Sequence, residues 1–335
     1  MSQSMSLEGP IAVSVTEDTF ATRGVFTISR GSRTEAKVLS VTLRNGDMVG
    51  VGECVPYARY GETLDSVKAQ ILSMQTSLNE GMDRIALQQA MPAGAARNAL
   101  DCALWDLEAK SRNLPVWQLA GLQEPQAVTT AFTLSLDTPE HMQSSATDNA
   151  HRPLLKIKLG GEGDVERLQA VRLGAPDSQL IVDANEGWSA DDYDALAPVM
   201  LSLGVTLVEQ PLPAGDDQAL AGRARPLPVC ADEACHDRKS LAALAGKYDV
   251  VNIKLDKTGG LTEALLLREA ALQAGFTVMV GCMVGSSLAM APALLVAQGA
   301  SYVDLDGPLL LAEDRQIPMR FVGSLIHPAE RTLWG

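Results

Sequence analysis

The sequence has few basic residues: Lys and Arg number 27 against 41 Asp and Glu in 335 residues, which gives a net charge of −14. Nucleic acids and anionic membranes bind basic surfaces, so this balance argues against both as partners and favours a soluble, cytoplasmic protein. The chain has no apolar run of about 18 residues, which excludes a spanning helix. The start, MSQSMSLEGP, lacks a basic stretch followed by an apolar core, so we expect no secretory signal.

Paired cysteines and a nucleotide-binding loop are also missing. The five cysteines stand singly in apolar surroundings without a CxxC motif, which favours buried free thiols in a reducing compartment. They are Cys54, Cys102, Cys230, Cys235 and Cys282. No GxGxxG follows a strand, so the dinucleotide fingerprint is absent. With 46% hydrophobic residues the chain can nevertheless bury an ample core.

The hydrophobic pattern changes twice along the chain. Residues 11–55 alternate as antiparallel strands do, with an Asn45-Gly46 hairpin and a polar loop at 29–36. Residues 64–121 have the three- and four-residue spacing of amphipathic helices. From Val128 onward, short apolar runs alternate with helical patterns, which predicts a parallel α/β barrel or a doubly wound sheet. Polar clusters at the ends of the apolar runs favour the barrel.

Four of these polar clusters are evenly spaced. Lys158, Asp183, Glu209 and Asp232 each follow an apolar run, at steps of 25, 26 and 23 residues. This is one strand-helix unit per step, so the side chains are expected at the carboxyl ends of successive strands, where barrel enzymes place their catalytic residues. The alternative is that the acids are solvated residues at loop starts.

Three converging carboxylates need a counter-ion, because like charges at close range raise one another's pKa. No Cys or His falls at the ligand positions, so Asp183, Glu209 and Asp232 predict Mg²⁺, with Mn²⁺ as a substitute, rather than zinc.

A second lysine continues the series. Lys254 lies 22 residues after Asp232, at the end of the sixth strand, and so faces Lys158 on the second strand across the barrel mouth. Each lysine alone could be a surface cation that reaches water. Two on opposite sides of a metal site suit the movement of protons on both faces of one carbon.

Other polar residues extend the candidate site. Ser286 lies in a small-residue loop after the seventh strand, and Asp304 and Asp306 follow the eighth, where they suit a substrate ammonium or act as helix caps. Arg30 and Arg33 in the 29–36 loop either belong to a solvated turn or hold an anionic substrate group, since Arg binds carboxylates bidentately.

Five motifs together resemble the enolase superfamily, muconate-lactonising subgroup. They are Lys156-Ile157-Lys158, Asp183-Ala184-Asn185, Glu209-Gln210-Pro211, Asp232-Glu233 and Asn252-Ile253-Lys254. Within the subgroup, Asp304-Leu305-Asp306 is similar to the motif of the dipeptide epimerases. The resemblance implies a (β/α)7β TIM-like barrel over residues 126–307, an α+β capping domain over 1–125, and a tail, 308–335, that returns to the cap.

The resemblance also implies an activity. It is the Mg²⁺-dependent inversion of the α-carbon of the C-terminal residue of L-Ala-D/L-Glu, through an enediolate, in murein peptide recycling. Lys158 and Lys254 would transfer protons on opposite faces. A lysine base must be neutral, so its pKa is expected to fall through desolvation and nearby positive charge, which Lys156 would supply for Lys158.

The remaining implied roles concern binding. Lys156 would contact the substrate carboxylate, Asp304 and Asp306 the ammonium, and Arg30 or Arg33 the side-chain carboxylate. Asn185 and Asp256 would orient the metal ligands and Lys254.

Two kinds of rival remain. One is another enzyme of the subgroup, such as an o-succinylbenzoate synthase, a cycloisomerase or an epimerase of other dipeptides. The first two act on substrates that have no ammonium for Asp304 and Asp306. The other rival is a non-catalytic, metal-stabilised binding protein, which would need neither lysine base. The sequence leaves open whether the chain forms a homo-oligomer.

Overall fold

The chain begins with a long antiparallel hairpin that widens into a three-stranded sheet. The computed structural model describes residues 9–335; residues 1–8, and with them most of the segment in which no secretory signal was expected, lie outside the described part. The strands are β1 (Ala12–Ile28), β2 (Gly31–Asn45) and β3 (Met48–Cys54). The predicted Asn45-Gly46 hairpin is confirmed, because β2 ends at Asn45, β3 starts at Met48 and Gly46 has a φ of 58°.

The prediction of a polar loop at residues 29–36 is confirmed for Ser29 and Arg30 and is wrong for residues 31–36. Phe26 pairs with Arg33 and Ile28 with Gly31, so β1 and β2 continue to a two-residue turn at Ser29 and Arg30. Backbone pairing with β1 holds this polar end of β2 in a strand, although several of its side chains are exposed. The turn places Arg30 at the tip of the hairpin.

Five helices complete the N-terminal region: α1 (Leu64–Ser73), α2 (Gln75–Asn79), α3 (Arg84–Ala90), α4 (Ala95–Arg112) and α5 (Val116–Leu119). Thr63 begins α1 with a capping box and Asp83 caps α3, so both helix starts satisfy free backbone N–H groups. Helix α4 packs directly on β3. The acids of α4 are buried and paired: Glu108 accepts a hydrogen bond from Arg84 at 3.0 Å, and Asp101 accepts one from the Thr262 backbone N–H at 2.9 Å.

After a short strand β4 (Val128–Thr129), eight parallel strands follow in chain order around a barrel. They are β5 (Phe132–Leu134), β6 (Leu154–Lys158), β7 (Gln179–Asp183), β8 (Val205–Glu209), β9 (Val229–Ala231), β10 (Val250–Ile253), β11 (Thr277–Gly281) and β12 (Tyr302–Asp304). The Ala131 N–H donates to the Val303 carbonyl at 2.8 Å, which closes the ring between β12 and the start of β5. The predicted barrel with an N-terminal α+β cap is therefore confirmed.

The helices of the barrel segment lie between its strands. They are α6 (Pro139–Asp148), α7 (Asp164–Gly174), α8 (Ala190–Ser202), α9 (Leu241–Leu244), α10 (Leu255–Thr258), α11 (Leu261–Gln273), α12 (Ser287–Ala297) and α13 (Gly307–Leu310). Between β8 and β9 the chain forms only a single 3-10 turn, Gln218–Leu220. Within residues 9–335 no helix has the length and apolar character that crossing a bilayer requires.

The C-terminal tail contacts both parts of the molecule. Its strands β13 (Phe321–Val322) and β14 (Leu325–Ile326) form a small sheet with β4, which is why the first predicted barrel strand is split in two. The Ala312 N–H donates to the Ala21 carbonyl at 2.8 Å, so the tail also reaches the cap sheet as expected. The domain limits at 125 and 307 stay a prediction about separable units.

Glycines allow α4 to approach β3 closely. A Cβ at Gly52 would lie 2.3 Å from the Ala99 carbonyl oxygen and 2.9 Å from the Ala103 nitrogen, both in the α4 backbone. We expect Gly52→Ala to lower the free energy of unfolding by about 1–3 kcal/mol or more, because helix and sheet must separate to admit the methyl group. Urea unfolding followed by circular dichroism measures this.

Met48→Ala is the matched control, since Met48 belongs to the same strand but is 43% exposed. Its free energy of unfolding should stay within about 0.5 kcal/mol of the parent. Equal stability of Gly52→Ala and the parent protein would contradict this account of the cap.

Candidate active site at the barrel mouth

The positions of the site residues follow from the alternation of side chains along the barrel strands. One inward-facing residue from each strand, or from the position just before it, contributes to an apolar floor inside the barrel: Ala131, Leu154, Ile181, Leu207, Cys230, Val250, Met279 and Tyr302. Residues two apart in a strand share a face, so the next inward positions lie one layer nearer the mouth. They are Thr133, Lys156, Asp183, Glu209, Asp232, Asn252, Gly281 and Asp304. We call these eight residues the mouth layer.

Three members of the mouth layer form the metal-binding candidate. Asp183, Glu209 and Asp232 are buried, and each offers a carboxylate oxygen within 4.8 Å of those of the other two. Oxygen donors alone suit a hard divalent cation such as Mg²⁺. The structure thus brings together the three acids that the spacing predicted, and the donor set fits the predicted metal.

Lys156 lies at the centre of the mouth layer. Its Nζ is 2.7 Å from Glu209 Oε2, 2.7 Å from Asp304 Oδ2 and 3.1 Å from Asp183 Oδ2, and its side chain is only 1% exposed. Burial would lower the pKa of Lys156, but Asp304, Glu209 and Asp183 raise it well above its ordinary value. Lys156 is therefore a fixed ammonium that offsets part of the negative charge of the carboxylates.

The two candidate bases line one cleft at the barrel mouth. Lys158 Nζ is 2.6 Å from Asp183 Oδ2, and Lys254 Nζ is 2.7 Å from Asp232 Oδ2. They come from β6 and from the residue after β10, four strands apart in the ring of eight. Each lysine thus contacts a different metal-ligand candidate, on opposite sides of the barrel.

The carboxylates titrate unequally. Burial would raise the pKa of Asp183, but the ammonium groups of Lys158 and Lys156 outweigh it and lower the pKa. Burial of Glu209, and next the charge of Asp183, raise its pKa to about 7 despite Lys156. Burial would likewise raise the pKa of Asp232. The charge of Lys254 above all outweighs burial, so the pKa of Asp232 is lowered.

The expected lowering of a lysine pKa is not what Lys254 shows. Burial lowers the pKa of Lys254, but the charge of Asp232 raises it by more than burial lowers it. The pKa therefore lies well above the ordinary value of a lysine. The expectation considered desolvation and positive charge, whereas Asp232 is the nearest charged group in this structure.

Two polar residues that received no role from the sequence also belong to the site. Lys257 donates to Asp232 Oδ1 at 2.6 Å and to the Asn252 carbonyl at 3.0 Å. Asn252 donates to Glu209 Oε1 at 2.7 Å. Asn252 could have been found from its place two residues after Val250 in the floor. Lys257 lies on α10, outside the two-residue periodicity, and the sequence contains no comparable signal for it.

The two arginines of the hairpin differ in their contacts. Arg30 donates to Glu233 Oε1 at 2.7 Å, to the Asn185 carbonyl at 2.7 Å and to Glu186 Oε2 at 3.1 Å. Its guanidinium therefore joins the cap to the barrel. Arg33 stacks over Phe26 at 5.9 Å and lines the same cleft, and within residues 9–335 it has no carboxylate at ion-pair distance. Arg33 remains available for an anionic ligand.

Asp304 and Asp306 are both buried beside the mouth layer. Asp304 Oδ2 accepts from Lys156, while its Oδ1 has no hydrogen-bond partner among the described residues. Asp306 Oδ2 accepts from the Thr133 N–H at 2.6 Å, and burial, followed by the charge of Asp304, raises its pKa to about 7. Asp306 precedes α13 but makes no side-chain capping bond, which weighs against the capping alternative.

Three other candidates take different positions. Asn185 donates its N–H to Asp183 Oδ1 at 2.9 Å and its amide to Glu233 Oε1 at 3.4 Å, so it does contact a metal-ligand candidate. Asp256 instead accepts from the Val55 N–H at 3.0 Å and from Asn98 at 2.8 Å. Ser286 caps α12 and bonds Glu53 and Arg315. The structure thus does not bring Ser286 to the carboxylates, because its hydroxyl is fully buried against the cap and tail.

Comparison with known proteins agrees with this geometry. Residues 10–121 match the mandelate racemase/muconate lactonizing enzyme N-terminal domain, and residues 141–312 match the enolase C-terminal domain-like family. The chain is similar to an L-Ala-D/L-Glu epimerase of Escherichia coli (strain K12), at 48% identity over 94% of this chain and 99% of the relative. It is also similar to an N-acetyl-D-glutamate racemase of Pseudoalteromonas sp, at 45% identity over 89% and 95% of the two chains.

A solved structure matches the whole architecture. It is an enolase family member from Agrobacterium tumefaciens with homology to dipeptide epimerases, with bound sodium, L-Ala-L-Glu and an ordered loop. The TM-score is 0.96 and the identity 52%, over 97% of this chain and 100% of that one. The chain belongs to the mandelate racemase/muconate lactonizing enzyme family of the enolase superfamily.

Proposed function

We propose that the protein is an Mg²⁺-dependent dipeptide epimerase that inverts the α-carbon of the C-terminal residue of L-Ala-D/L-Glu. The observation that carries this proposal is the placement of Lys158 and Lys254 on opposite sides of one cleft, each bonded to a ligand of the same carboxylate triad. Its similarity to an L-Ala-D/L-Glu epimerase supports the substrate.

Asp183, Glu209 and Asp232 would hold the Mg²⁺. When bound, the ion supplies positive charge to the substrate α-carboxylate, which stabilises the negative charge that builds there as the α-proton leaves. The acids must present their oxygens inward, and the Asn185 N–H keeps Asp183 in that orientation.

The proton is moved by the two lysines. The Nζ of one lysine takes the α-proton from one face, and the Nζ of the other returns a proton to the opposite face, which inverts the centre. Lys254 owes its raised pKa to Asp232, so a cation bound to Asp232 would lower that pKa towards the neutral form that a base requires. Lys156 and Lys257 add fixed positive charge beside the two bases.

The substrate's two ends would meet groups of opposite sign. The free acceptor Asp304 Oδ1, with Asp306 beside it, suits the dipeptide ammonium. Arg33 suits the glutamate side-chain carboxylate, and Arg30 is the weaker candidate because Glu233 and Glu186 already engage it. A cytoplasmic location and a role in murein peptide recycling complete the proposal. All five cysteines are free thiols, which supports a reducing compartment.

Proton NMR in D₂O with Mg²⁺ tests the reaction and the substrate together. With L-Ala-L-Glu we expect loss of the Glu α-proton signal and the appearance of L-Ala-D-Glu. N-acetyl-L-glutamate, which lacks the ammonium, should react much more slowly because Asp304 Oδ1 would gain no charged donor. Faster turnover of N-acetyl-L-glutamate would move the assignment to an N-acylamino acid racemase, and inertness of both would favour another reaction of the subgroup.

Single lysine variants test the two-base mechanism. We expect epimerisation to be abolished in both Lys158→Ala and Lys254→Ala. Each variant should still exchange the α-proton of one diastereomer with D₂O, because one base remains on one face. The diastereomer that exchanges should differ between the two variants. Lys239→Ala, at an exposed lysine, is the control. Loss of exchange on both faces in either variant would count against two bases.

Metal binding should be visible in stability. Because Mg²⁺ binds only the folded state, a concentration of about 100 times Kd should add about 2.7 kcal/mol to the free energy of unfolding. Calorimetry with Mg²⁺ and with EDTA measures the shift in Tm. Glu209→Gln should abolish the shift, and Glu108→Gln, a buried acid of the cap, should keep it. A shift unchanged in Glu209→Gln would exclude this residue as a ligand.

Arg33→Met tests side-chain recognition. A charge-assisted hydrogen bond contributes about 1.5–3 kcal/mol, so kcat/KM for L-Ala-L-Glu should fall about 10- to 100-fold, with little change for L-Ala-L-Met. Arg23→Met, at an exposed arginine of the same hairpin, is the control. Equal losses with both dipeptides would show that Arg33 acts on the cleft as a whole and not on the carboxylate.

A further inference from the structure

Cap helix α4 contacts the chain segment that carries Lys254 through a row of buried polar side chains. The row consists of Arg97, Asn98, Asp101 and Trp105, of which Arg97, Asp101 and Trp105 are four residues apart and share one face of the helix. Their partners lie between residues 256 and 262, directly after Lys254 in the chain.

Arg97 makes the densest contacts in this row. Its side chain is buried, and it donates to the Thr258 carbonyl at 2.6 Å and to the Gly259 carbonyl at 3.1 Å. Its other terminal nitrogen donates to the carbonyls of Met91 and Gln88 at 3.1 and 3.2 Å. Arg97 thus connects the start of α4 and the end of α3 to the last turn of α10.

Glycines bring the segment against the row. A Cβ at Gly259 would lie 2.4 Å from Arg97 Nε, and a Cβ at Gly260 would lie 2.5 Å from Asp101 Oδ2. Both glycines have positive φ values, 75° and 109°, which other residues rarely adopt. The chain therefore follows α4 closely at this point.

Further bonds reinforce the same attachment. Asn98 donates to Asp256 Oδ1 at 2.8 Å, Asp101 Oδ2 accepts from the Thr262 N–H at 2.9 Å, and the Trp105 indole donates to the Thr262 hydroxyl at 2.9 Å.

The held segment begins with the base itself. Lys254 is the N-cap residue of α10, and the N–H groups of Lys257 and Thr258 both donate to its carbonyl at 3.0 Å. Lys257, one turn on, holds Asp232 Oδ1 at 2.6 Å. A displacement of α10 would therefore move the Lys254 backbone, whereas Asp232 is also held independently of α10, because its N–H donates to Gln210 Oε1 at 2.9 Å.

Among the residues that the structure describes, Lys158 and the segment after it have no such support from α4. The residues that follow it are held from within the barrel: the Leu159 N–H donates to the Asp183 carbonyl at 3.0 Å, and Asp164 accepts from the Gly160 and Gly161 N–H groups at 3.0 and 2.7 Å. Helix α4 therefore supports the two sides of the cleft unequally.

We infer that Arg97 is a positioning residue for Lys254, and that α4 sets the geometry of proton transfer on one face of the substrate carbon only. The inference rests on the proposed two-base function. A displacement of about 1 Å at a reacting group can cost about 100-fold in rate, so a loosened α10 should affect the Lys254 face selectively.

Face-resolved exchange of the α-proton with D₂O tests this, with Mg²⁺ bound and each diastereomer supplied separately. The Lys254 face is defined as the diastereomer that stops exchanging in Lys254→Ala. Arg97→Met should slow exchange of that diastereomer about 10- to 100-fold. Exchange of the other should stay within about twofold of the parent. Arg97→Lys, which keeps a donor, should recover part of the rate.

Arg172→Met is the matched control. Arg172 also donates to backbone carbonyls, those of Ala175, Pro176, Ser178 and Leu203, at the opposite end of the barrel, away from both lysines. It should leave the ratio of the two exchange rates unchanged even where it lowers Tm. Equal slowing of both diastereomers in Arg97→Met, or no slowing, would overturn the inference.

Backbone amide exchange by mass spectrometry separates failure of the inference from failure of the proposed function. If the parent protein exchanges neither diastereomer, the proposed function fails. Arg97→Met must still raise amide exchange in residues 255–262, without a similar rise in 155–162, because the attachment to α4 does not depend on substrate. Unchanged amide exchange in 255–262 would overturn the inference in either case.

Discussion

The structure depends on a balance of buried charge at the mouth of the barrel. Lys156 is surrounded by Asp183, Glu209 and Asp304, where water cannot screen the charges. An unpaired charge at this depth would be strongly destabilising, whereas a paired and hydrogen-bonded cluster is tolerated. The ammonium of Lys156 allows several carboxylates to sit inside the ring, while burial, and next the charge of Asp183, raise the pKa of Glu209 to about 7. The carboxylate oxygens gathered at this depth suit a hard divalent cation, and the apolar floor lies directly beneath them.

Most of this site could be predicted because barrel strands repeat a simple geometry. The inward face recurs every two residues along a strand, and the strand-helix unit recurs at nearly constant length, so the polar residues that end apolar runs must meet at one rim. Asp183, Glu209 and Asp232 follow from that rule alone, as do Lys158 and Lys254. The rule works here because the strands are buried on both faces, which makes their ends sharp in the sequence.

The contacts that join the cap to the barrel could not be predicted in the same way. Arg30 meets Glu233, and Ser286 meets Glu53, across 203 and 233 residues of chain, and no periodicity relates such positions. Ser286 looked available because it follows a strand in a loop of small residues, yet its hydroxyl is used as a helix cap and as a partner of Glu53. Residues 31–36 looked like a loop because their side chains are mostly polar and exposed, and what makes them a strand is backbone pairing, which leaves little trace in side-chain pattern.

The surroundings of Glu209 are similar on the sides of the two candidate bases. Lys156 and Asn252 contact Glu209 from opposite sides, each at 2.7 Å, and each stands two residues before a candidate base. The backbone geometry on the two sides is therefore alike, but Lys156 is charged and Asn252 is not. Lys257 compensates for this difference in charge, because it places a second ammonium on Asp232 beside Lys254. Each candidate base thus has a lysine nearby, Lys156 on the same strand as Lys158 and Lys257 on the helix that follows Lys254. Positive charge close to a lysine favours its neutral form, which is the form that a base requires.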